Sequence, residues 1–129
     1  MHLDIAAKIV IADDLIPMLV ALRRALGHLG FPNVLEAVNG EEAFAALEAN
    51  PDVALVISDW NMEPMDGLTL LDAIRADERF RKLPFILISA DANAFMREKA
   101  RVGGVSLVLP KPFDADILGK AIAGLAEPD

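Results

Sequence analysis

The chain has 129 residues and a formal net charge of −8, from 20 acidic side chains against 12 lysines and arginines. This length suits one domain with its own core, and a hydrophobic content of 54% excludes a disordered chain. The acidic balance argues against nucleic-acid binding, which needs clustered positive charge, and favours a divalent cation or a cationic protein surface. The absence of cysteine excludes disulfides and thiolate metal sites.

No apolar run reaches the ~18 residues of a membrane helix. The N-terminus also lacks the basic flank and the long apolar segment of a signal peptide. We therefore expect no membrane contact and a cytoplasmic location.

Five short apolar runs predict β-strands, and their lack of polar alternation is typical of strands covered on both faces. The predicted strands cover residues 8–12, 33–38, 53–58, 84–88 and 105–109. Glu36 in the second run indicates an edge strand. With a helical segment after each strand, the pattern predicts a parallel α/β sheet with helices on both faces. We expect one domain over residues 1–129, with a core from about residue 8 to 125.

Five amphipathic segments predict the helices. The first follows Asp14, carries leucines at helical spacing and ends at Gly30; the others cover about 41–50, 68–78, 93–102 and 114–125. Asp114 is expected to cap the last helix. Its predicted apolar face consists of Ile117, Ala121, Ile122 and Leu125. Phe95 and Met96 on the fourth helix fit either a partner surface or the core.

Polar residues follow four of the predicted strands. They are Asp13 and Asp14 after the first, Asp59 after the third, Ser89 after the fourth and Lys111 after the fifth. Because the carboxyl ends of parallel strands share one edge, these side chains are expected around a single crevice. Three carboxylates so close repel one another, and Mg²⁺, which prefers oxygen ligands, relieves the repulsion.

Such a crevice suits phosphoryl chemistry. One carboxylate is free to act as a nucleophile toward phosphorus, and Mg²⁺ and the ammonium of Lys111 neutralise charge on the transferring oxygens. The hydroxyl of Ser89 can donate to another of these oxygens. Together these residues suit the making and breaking of an aspartyl phosphate.

Each residue also has a simpler interpretation. Asp13 and Asp14 fit a helix cap, Asp59 a solvated strand end, Ser89 a turn cap and Lys111 a surface cation. The functional interpretation depends on their coincidence at the ends of different strands. Two isolated histidines, His2 and His28, are expected to be exposed, and Trp60 fits a half-buried loop aromatic.

In this order, these residues resemble the receiver domain of two-component response regulators. The motifs that carry the resemblance are Asp13-Asp14, Asp59-Trp60-Asn61-Met62, Met65-Asp66-Gly67, Ser89-Ala90 and Lys111-Pro112-Phe113. Residues 59–62 are especially similar to the stand-alone chemotaxis receiver. The resemblance covers about residues 8–125 and implies a flavodoxin-like, doubly wound sheet in the order 2-1-3-4-5.

The resemblance implies a phosphoryl group on Asp59, received from a histidine kinase or a phosphotransfer protein. It implies Mg²⁺ bound by Asp13, Asp59 and the backbone carbonyl of Asn61, with Asp14 helping through water. It also implies that Ser89 and Lys111 contact the phosphoryl oxygens, that Asn61 and Asp91 influence the lifetime of the phosphate, and that the Lys111-Pro112 peptide is cis.

A single-domain response regulator of this class acts through changed protein–protein contacts with an unidentified output partner. It is not an enzyme beyond its own phosphorylation and autodephosphorylation.

Two departures from the family pattern are visible. Glu63 stands where the family often has proline, with Pro64 next, so a local change in loop shape is expected. Val108 stands where the family usually has an aromatic that swings inward, and a stiff valine cannot make that movement.

Val108 therefore supports a second hypothesis, a phosphate sink or interaction module with weak conformational readout. A third hypothesis, a Mg²⁺-dependent phosphohydrolase, is weakened by Asn61 where such enzymes commonly have a second acid.

Overall fold

The computed structural model describes residues 3–125, which form one parallel sheet with helices on both faces. The strands are β1 (Lys8–Ala12), β2 (Val34–Ala37), β3 (Val53–Asp59), β4 (Phe85–Ser89) and β5 (Leu107–Pro110). The helices are α1 (Ile16–His28), α2 (Gly40–Ala49), α3 (Gly67–Ala76), α4 (Ala94–Val102) and α5 (Ala115–Leu125). The strands lie in the order β2-β1-β3-β4-β5, as expected from the sequence.

Alternate residues of each strand serve opposite faces of the sheet, as strand geometry requires. On β1, Val10 packs into the core cluster shared with α2, α3 and α4, whereas Ile9 and Ile11 pack into the cluster shared with α1 and α5. Both faces are therefore apolar, which explains why the strand sequences show no polar alternation. The exception is the edge strand β2, where Glu36 is exposed.

Every element begins and ends within two residues of the predicted positions. The largest differences, of two residues each, are at the end of α1 (His28), the end of α3 (Ala76) and the start of β5 (Leu107). The predicted cap of α5 is present, because Asp114 Oδ1 accepts a hydrogen bond from the Ile117 amide at 2.8 Å. The Lys111-Pro112 peptide is cis, as the family resemblance implied.

The predicted apolar face of α5 was wrong at Ile117. Leu118 and Ile122 are buried, whereas Ile117 is 45% exposed. A close approach between α5 and α1 explains this orientation, since a Cβ on Gly119 would lie only 2.8 Å from Leu29 Cδ2. Packing of this kind fixes which side of a helix turns inward.

Several smaller expectations are also resolved. His28 is exposed, as predicted, whereas His2 lies outside the described residues. Phe95 is exposed, which fits the partner-surface alternative, whereas Met96 packs against the core. Within residues 3–125, no helix has the length and apolar character needed to cross a membrane.

Candidate functional site

Main-chain hydrogen bonds align the strand ends along the carboxyl edge of the sheet. The amide of Asp13 donates to Ala37 O at 3.1 Å, and the amide of Lys111 donates to Ser89 O at 2.9 Å. Between them, Asp59 is the last residue of β3, and its register partner on β4 is Ile88. These backbone contacts hold the polar side chains that follow the strands close to one another.

Asp13, Asp14 and Asp59 form an acidic cluster at this edge, in which each contributes a carboxylate oxygen within 4.8 Å of the others. Asp13 and Asp59 are only 1% and 6% exposed, whereas Asp14 is open to solvent. Asp13 Oδ1 accepts a hydrogen bond from the Leu15 amide at 2.9 Å, which fixes its orientation. Because the N-cap of α1 is Leu15, with no side-chain cap, the helix-cap interpretation of Asp13 and Asp14 was wrong.

Lys111 supplies the positive charge of the site. Its Nζ lies 3.2 Å from Asp59 Oδ1, and both side chains are largely shielded from solvent. Lys111 is therefore an ion-pair partner of the cluster rather than a free surface cation. Shielding makes this contact stronger than an ion pair in open water.

Burial controls the protonation of the two shielded acids. It raises the pKa of Asp59 above its ordinary value, although the charge and hydrogen bond of Lys111 oppose the shift. Burial likewise raises the pKa of Asp13, with a lowering contribution from the Leu15 amide and a raising one from Asp59. The cluster therefore holds negative charge at an energetic cost that a bound cation would reduce.

The donor set fits Mg²⁺ in its chemistry. Carboxylate oxygens from three residues converge on one point, and hard divalent cations prefer oxygen ligands while keeping part of their water shell. Asn61 lies near Asp14 of this cluster, because both residues line an open cleft of about 390 Å³. The cleft leaves room for water and for a phosphoryl group.

The loop from Asp59 to Gly67 is fixed at both ends. The Gly67 amide donates to Trp60 O at 2.9 Å, and Asp66 Oδ1 caps α3 by accepting from the Thr69 amide at 2.8 Å. Trp60 is buried more deeply than the half-buried position expected from the sequence. These contacts therefore anchor both ends of the loop that begins at Asp59.

Gly67 is required by the closeness of the chain at this point. A Cβ on Gly67 would lie 2.3 Å from Asp59 O and 2.7 Å from Leu87 Cδ1. Neither the backbone of β3 nor the buried Leu87 can yield cheaply. Any other residue would thus push the loop away from Asp59.

Glu63 and Pro64, the departure from the family pattern noted in the sequence, lie in the loop that follows Asp59. The Glu63-Pro64 peptide is cis, and Glu63 is exposed and lines the same cleft as Asp14 and Asn61. Sequence reasoning noted Glu63 only as a departure and assigned it no role. Its position only four residues after Asp59 was the feature of the sequence that could have indicated its place at the cleft.

Ser89 lies at the site but is engaged elsewhere. It is buried at the end of β4, and its hydroxyl exchanges long hydrogen bonds of 3.4 Å with the side chain and the amide of Asp91. Asp91 is exposed. The structure thus brings Asp13, Asp14, Asp59 and Lys111 together directly, with the Ser89–Asp91 pair on the neighbouring strand end.

Val108 is half-buried on β5 and packs against the cluster shared with α2, α3 and α4. Its register partner on β4 is Leu87, two residues before Ser89. Val108 therefore lies on the face of the sheet that α4 covers, one strand away from Ser89.

A family model described as the response regulator receiver domain matches residues 9–123. The chain belongs to this family. Chemotaxis protein CheY1 of Helicobacter pylori is 38% identical over 111 residues, covering 86% of this chain and 90% of the relative. Chemotaxis protein CheY of Pseudomonas aeruginosa is 37% identical over 120 residues, covering 93% and 96%.

Solved receiver structures share the fold. Chemotaxis protein CheY4 of Vibrio cholerae has a TM-score of 0.87 at 25% identity, covering 93% of this chain and 98% of that one. The receiver domain of the sensor histidine kinase PA1611 of Pseudomonas aeruginosa, solved with a magnesium ion coordinated in its active-site cleft, has a TM-score of 0.82 at 25% identity. It covers 91% of this chain and 94% of that chain.

These findings confirm the receiver resemblance, the flavodoxin-like strand order and the class of function. The chain is a phosphoryl-accepting response regulator receiver of the two-component class, similar to stand-alone chemotaxis receivers. Neither the phosphate-sink hypothesis nor the phosphohydrolase hypothesis is favoured. Receiver domains are signalling domains, generally not classed as enzymes, that bind Mg²⁺ at an acidic pocket and interact with histidine kinases and other partners.

Proposed function

We propose that Asp59 is the residue that accepts the phosphoryl group, in a Mg²⁺-dependent reaction with a histidine kinase or a phosphotransfer protein. The observation that carries the proposal is the 3.2 Å contact between Lys111 Nζ and Asp59 Oδ1 within the acidic cluster. A lone buried carboxylate would hold its proton, but Lys111 favours the ionised form that a nucleophile requires.

In the transfer step, one carboxylate oxygen of Asp59 bonds to phosphorus. The bond from phosphorus to the donor's histidine nitrogen breaks, and the nitrogen keeps the electron pair. Lys111 then exchanges its contact with the carboxylate for a phosphoryl oxygen, because the carboxylate loses its charge on forming the acyl phosphate. The fixed loop from Asp59 to Gly67 holds the acceptor in position throughout.

Asp13 and Asp59, with the backbone carbonyl of Asn61, would hold Mg²⁺, and the exposed Asp14 would contribute through water. When bound, the ion supplies neutralisation of the charge on the phosphoryl oxygens. The converging carboxylates support this assignment, and so does the magnesium ion in the related receiver of PA1611.

Ser89 would leave Asp91 and donate its hydroxyl to a second phosphoryl oxygen. The existing bonds between Ser89 and Asp91 are long, at 3.4 Å, and are weak enough to exchange. We assign Asn61, which lines the cleft, and Asp91, which contacts Ser89, to the lifetime of the phosphate. Self-phosphorylation from small donors and autodephosphorylation are part of the proposal.

The signal leaves through changed contacts with an output protein, as a shift in a pre-existing equilibrium biased by the new phosphoryl contacts. A cytoplasmic location belongs to this proposal, because the donor kinases draw on ATP in that compartment. We also propose that residues 1–129 are organised as one receiver domain.

The test is incubation with Mg²⁺ and acetyl phosphate, followed by intact mass spectrometry. The wild-type protein should gain the mass of one phosphoryl group, and chelation of Mg²⁺ should abolish the gain. Asp59→Asn should not be modified, whereas Asp116→Asn, an exposed acid on α5, should behave like wild type. Uptake by Asp59→Asn at the wild-type rate would contradict the assignment of the acceptor.

A further inference from the structure

The first residue of α2 contacts the loop from Asp59 to Gly67, which we call the acceptor loop. Gly40 is buried, and its amide donates a hydrogen bond to Met65 O at 3.0 Å. The first N–H groups of a helix have no partner within the helix, so this acceptor satisfies one of them. The contact therefore joins the helix start to a loop that is distant in the sequence.

The Gly40–Met65 hydrogen bond supports a part of the acceptor loop that its other anchors do not reach. At the start of the loop, the Trp60 amide donates to Ile88 O of β4 at 2.9 Å, and at its end Gly67 is bonded back to Trp60. Within residues 3–125, the bond from Gly40 is the one hydrogen bond that joins residues 61–65 to another element. The position of this segment therefore depends on α2.

The two segments are too close for a side chain at position 40. A Cβ on Gly40 would lie 2.6 Å from Met65 Cγ, 2.8 Å from its Sδ and 3.0 Å from its Cβ. A new rotamer of Met65 moves Cγ and Sδ away, but Cβ is fixed to the backbone that accepts the hydrogen bond. A larger residue at position 40 must therefore displace the backbone of Met65.

The start of α2 is a firm support for this contact. Asn39 Oδ1 accepts from the Glu42 amide at 2.8 Å, and Glu42 Oε1 accepts from the Val38 amide at 3.1 Å. These reciprocal bonds, of the capping-box kind, fix the chain on both sides of the helix start. The last residue of β2 is in turn bonded to the Asp13 amide at 3.1 Å. Because this support is tied to the sheet, the acceptor loop is the side that yields.

We infer that Gly40 is a positioning residue for the metal and acceptor site, because the start of α2 holds Met65 and thereby the acceptor loop that carries Asn61. This inference rests on the proposed function, in which Asp59 and the backbone carbonyl of Asn61 hold Mg²⁺. A backbone ligand has no side-chain torsion to adjust, so its position follows that of the loop. Mg²⁺ demands near-ideal octahedral geometry and tolerates little displacement of a ligand.

A Mg²⁺ titration of the full chain, without a phosphoryl donor, tests the inference. Amide resonances of the ¹⁵N-labelled protein report binding, at a temperature at which every variant is folded. Gly40→Ala should weaken Mg²⁺ affinity about tenfold, which is typical when the support of a metal ligand is lost. Gly27→Ala, a matched change on α1 where a Cβ meets nothing within 4 Å, should bind Mg²⁺ like wild type.

Two further variants separate positioning from a general loss of stability. Met65→Ala removes the Cγ and Sδ that a Cβ at position 40 would strike, so G40A/M65A should recover most of the Mg²⁺ affinity. Leu47→Ala leaves a cavity beneath α2, because Leu47 is fully buried. It should lower the free energy of unfolding in urea and leave Mg²⁺ affinity unchanged.

Three results would overturn the inference. They are wild-type Mg²⁺ affinity in Gly40→Ala, a double variant as weak as Gly40→Ala, and an equal weakening in Leu47→Ala. Failure of the proposed function has a different signature. A wild-type protein that gains no phosphoryl mass from acetyl phosphate would contradict Asp59 as the acceptor, while the Mg²⁺ titration would still decide the role of Gly40. A wild-type protein that binds no Mg²⁺ would overturn both.

Discussion

The acceptor side of the sheet, formed by β3 and β4 with the proposed acceptor Asp59 at its edge, differs from the α4–β5 side in how many of its residues are buried. Six of the seven residues of β3 are buried, and so are all five of β4. By contrast, α4 buries only Ala100 among its nine residues, and β5 buries only Leu109 among its four. Local stability follows buried apolar contact, so α4 and β5 can move at a smaller cost in free energy than β3 can.

This difference separates two requirements of a receiver. The phosphoryl transfer proposed for Asp59 needs that residue in a fixed position, and the hydrogen bond between Trp60 and Gly67 anchors the loop beside it. The proposed readout needs a surface that can change, and the small buried fraction of α4 suits that requirement. Ser89 lies between the two, at the end of the firmly held β4 and beside the chain that leads into α4.

The largest expected effect concerns Lys111, which follows β5 and forms an ion pair with Asp59. Lys111→Met removes the cation 3.2 Å from Asp59 and leaves that buried carboxylate among other acids. Phosphoryl uptake from acetyl phosphate should fall about 100-fold, because charge on the transferring oxygens is no longer neutralised. Initial rates followed by mass spectrometry check this, with Lys82→Met on the α3–β4 connector as the control. An unchanged rate would restrict Lys111 to a structural ion pair.

The rigidity of the acceptor loop is tested at Gly67. In Gly67→Ala the new methyl group would lie 2.3 Å from Asp59 O, so the loop or β3 must shift. The free energy of unfolding should fall by about 3 kcal/mol. Gly27→Ala on α1, where a Cβ meets nothing within 4 Å, should be neutral or slightly stabilising. Equal stability of the two variants in urea unfolding would show that the loop yields freely.

The looseness of α4 is tested by amide hydrogen exchange. The matched comparison is α3, a helix of similar length that buries four residues. Amides of α4 should exchange about tenfold faster than those of α3. Adding Mg²⁺ with beryllofluoride, a phosphoryl mimic, should change exchange mainly over residues 89–113. Unchanged amide exchange over these residues would instead support the phosphate-sink hypothesis that Val108 suggested.

Ionisation of the buried Asp13 carboxylate, which lies beside Asp59, affects the free energy of unfolding. Burial raises the pKa of Asp13, so the folded protein binds its proton more tightly than the unfolded chain does. The penalty for ionisation is therefore absent below the ordinary pKa of 3.8 and grows as pH rises through the folded-state value. At neutral pH without Mg²⁺ the full penalty applies.

Asp13→Asn removes that charge and keeps an oxygen to accept the Leu15 amide. Its melting temperature at neutral pH without Mg²⁺ should rise by a few degrees, and the gain should shrink at low pH. Mg²⁺ should stabilise the wild-type protein more than the variant. Thermal unfolding followed by circular dichroism measures both effects. A variant less stable than wild type at neutral pH would refute the penalty assigned to ionisation of Asp13.

The smallest expected effect concerns Glu63 at the mouth of the cleft. Glu63→Gln removes one negative charge from the path of an anionic donor. Uptake from acetyl phosphate should rise about twofold, and added salt should reduce the difference. Glu48→Gln on α2, away from the cleft, is the control. A salt-independent change would indicate an altered loop shape instead.

Much of the site followed from the strand ends. Asp13, Asp59 and Lys111 each follow a buried apolar run, and parallel topology alone brings such positions to one edge. The cis Glu63-Pro64 peptide and the placement of Glu63 at the cleft did not follow, since loop conformation depends on where both ends of the loop are anchored. The engagement of Ser89 with Asp91 was also hidden, because a side-chain partner two residues away depends on the local path of the chain.

The sequence by itself determined the order of strands and helices and the residues that end each strand, because burial imposes a period that is readable along the chain. Only the tertiary structure decided that Leu118 rather than Ile117 is buried on α5. On α4 it likewise decided that Phe95 is exposed and that Met96 packs against the core. Both helices carry apolar residues on more than one side, so their own sequence does not fix their rotation. Contact with neighbouring helices and with the sheet does, since a packed core accepts only one arrangement of side chains.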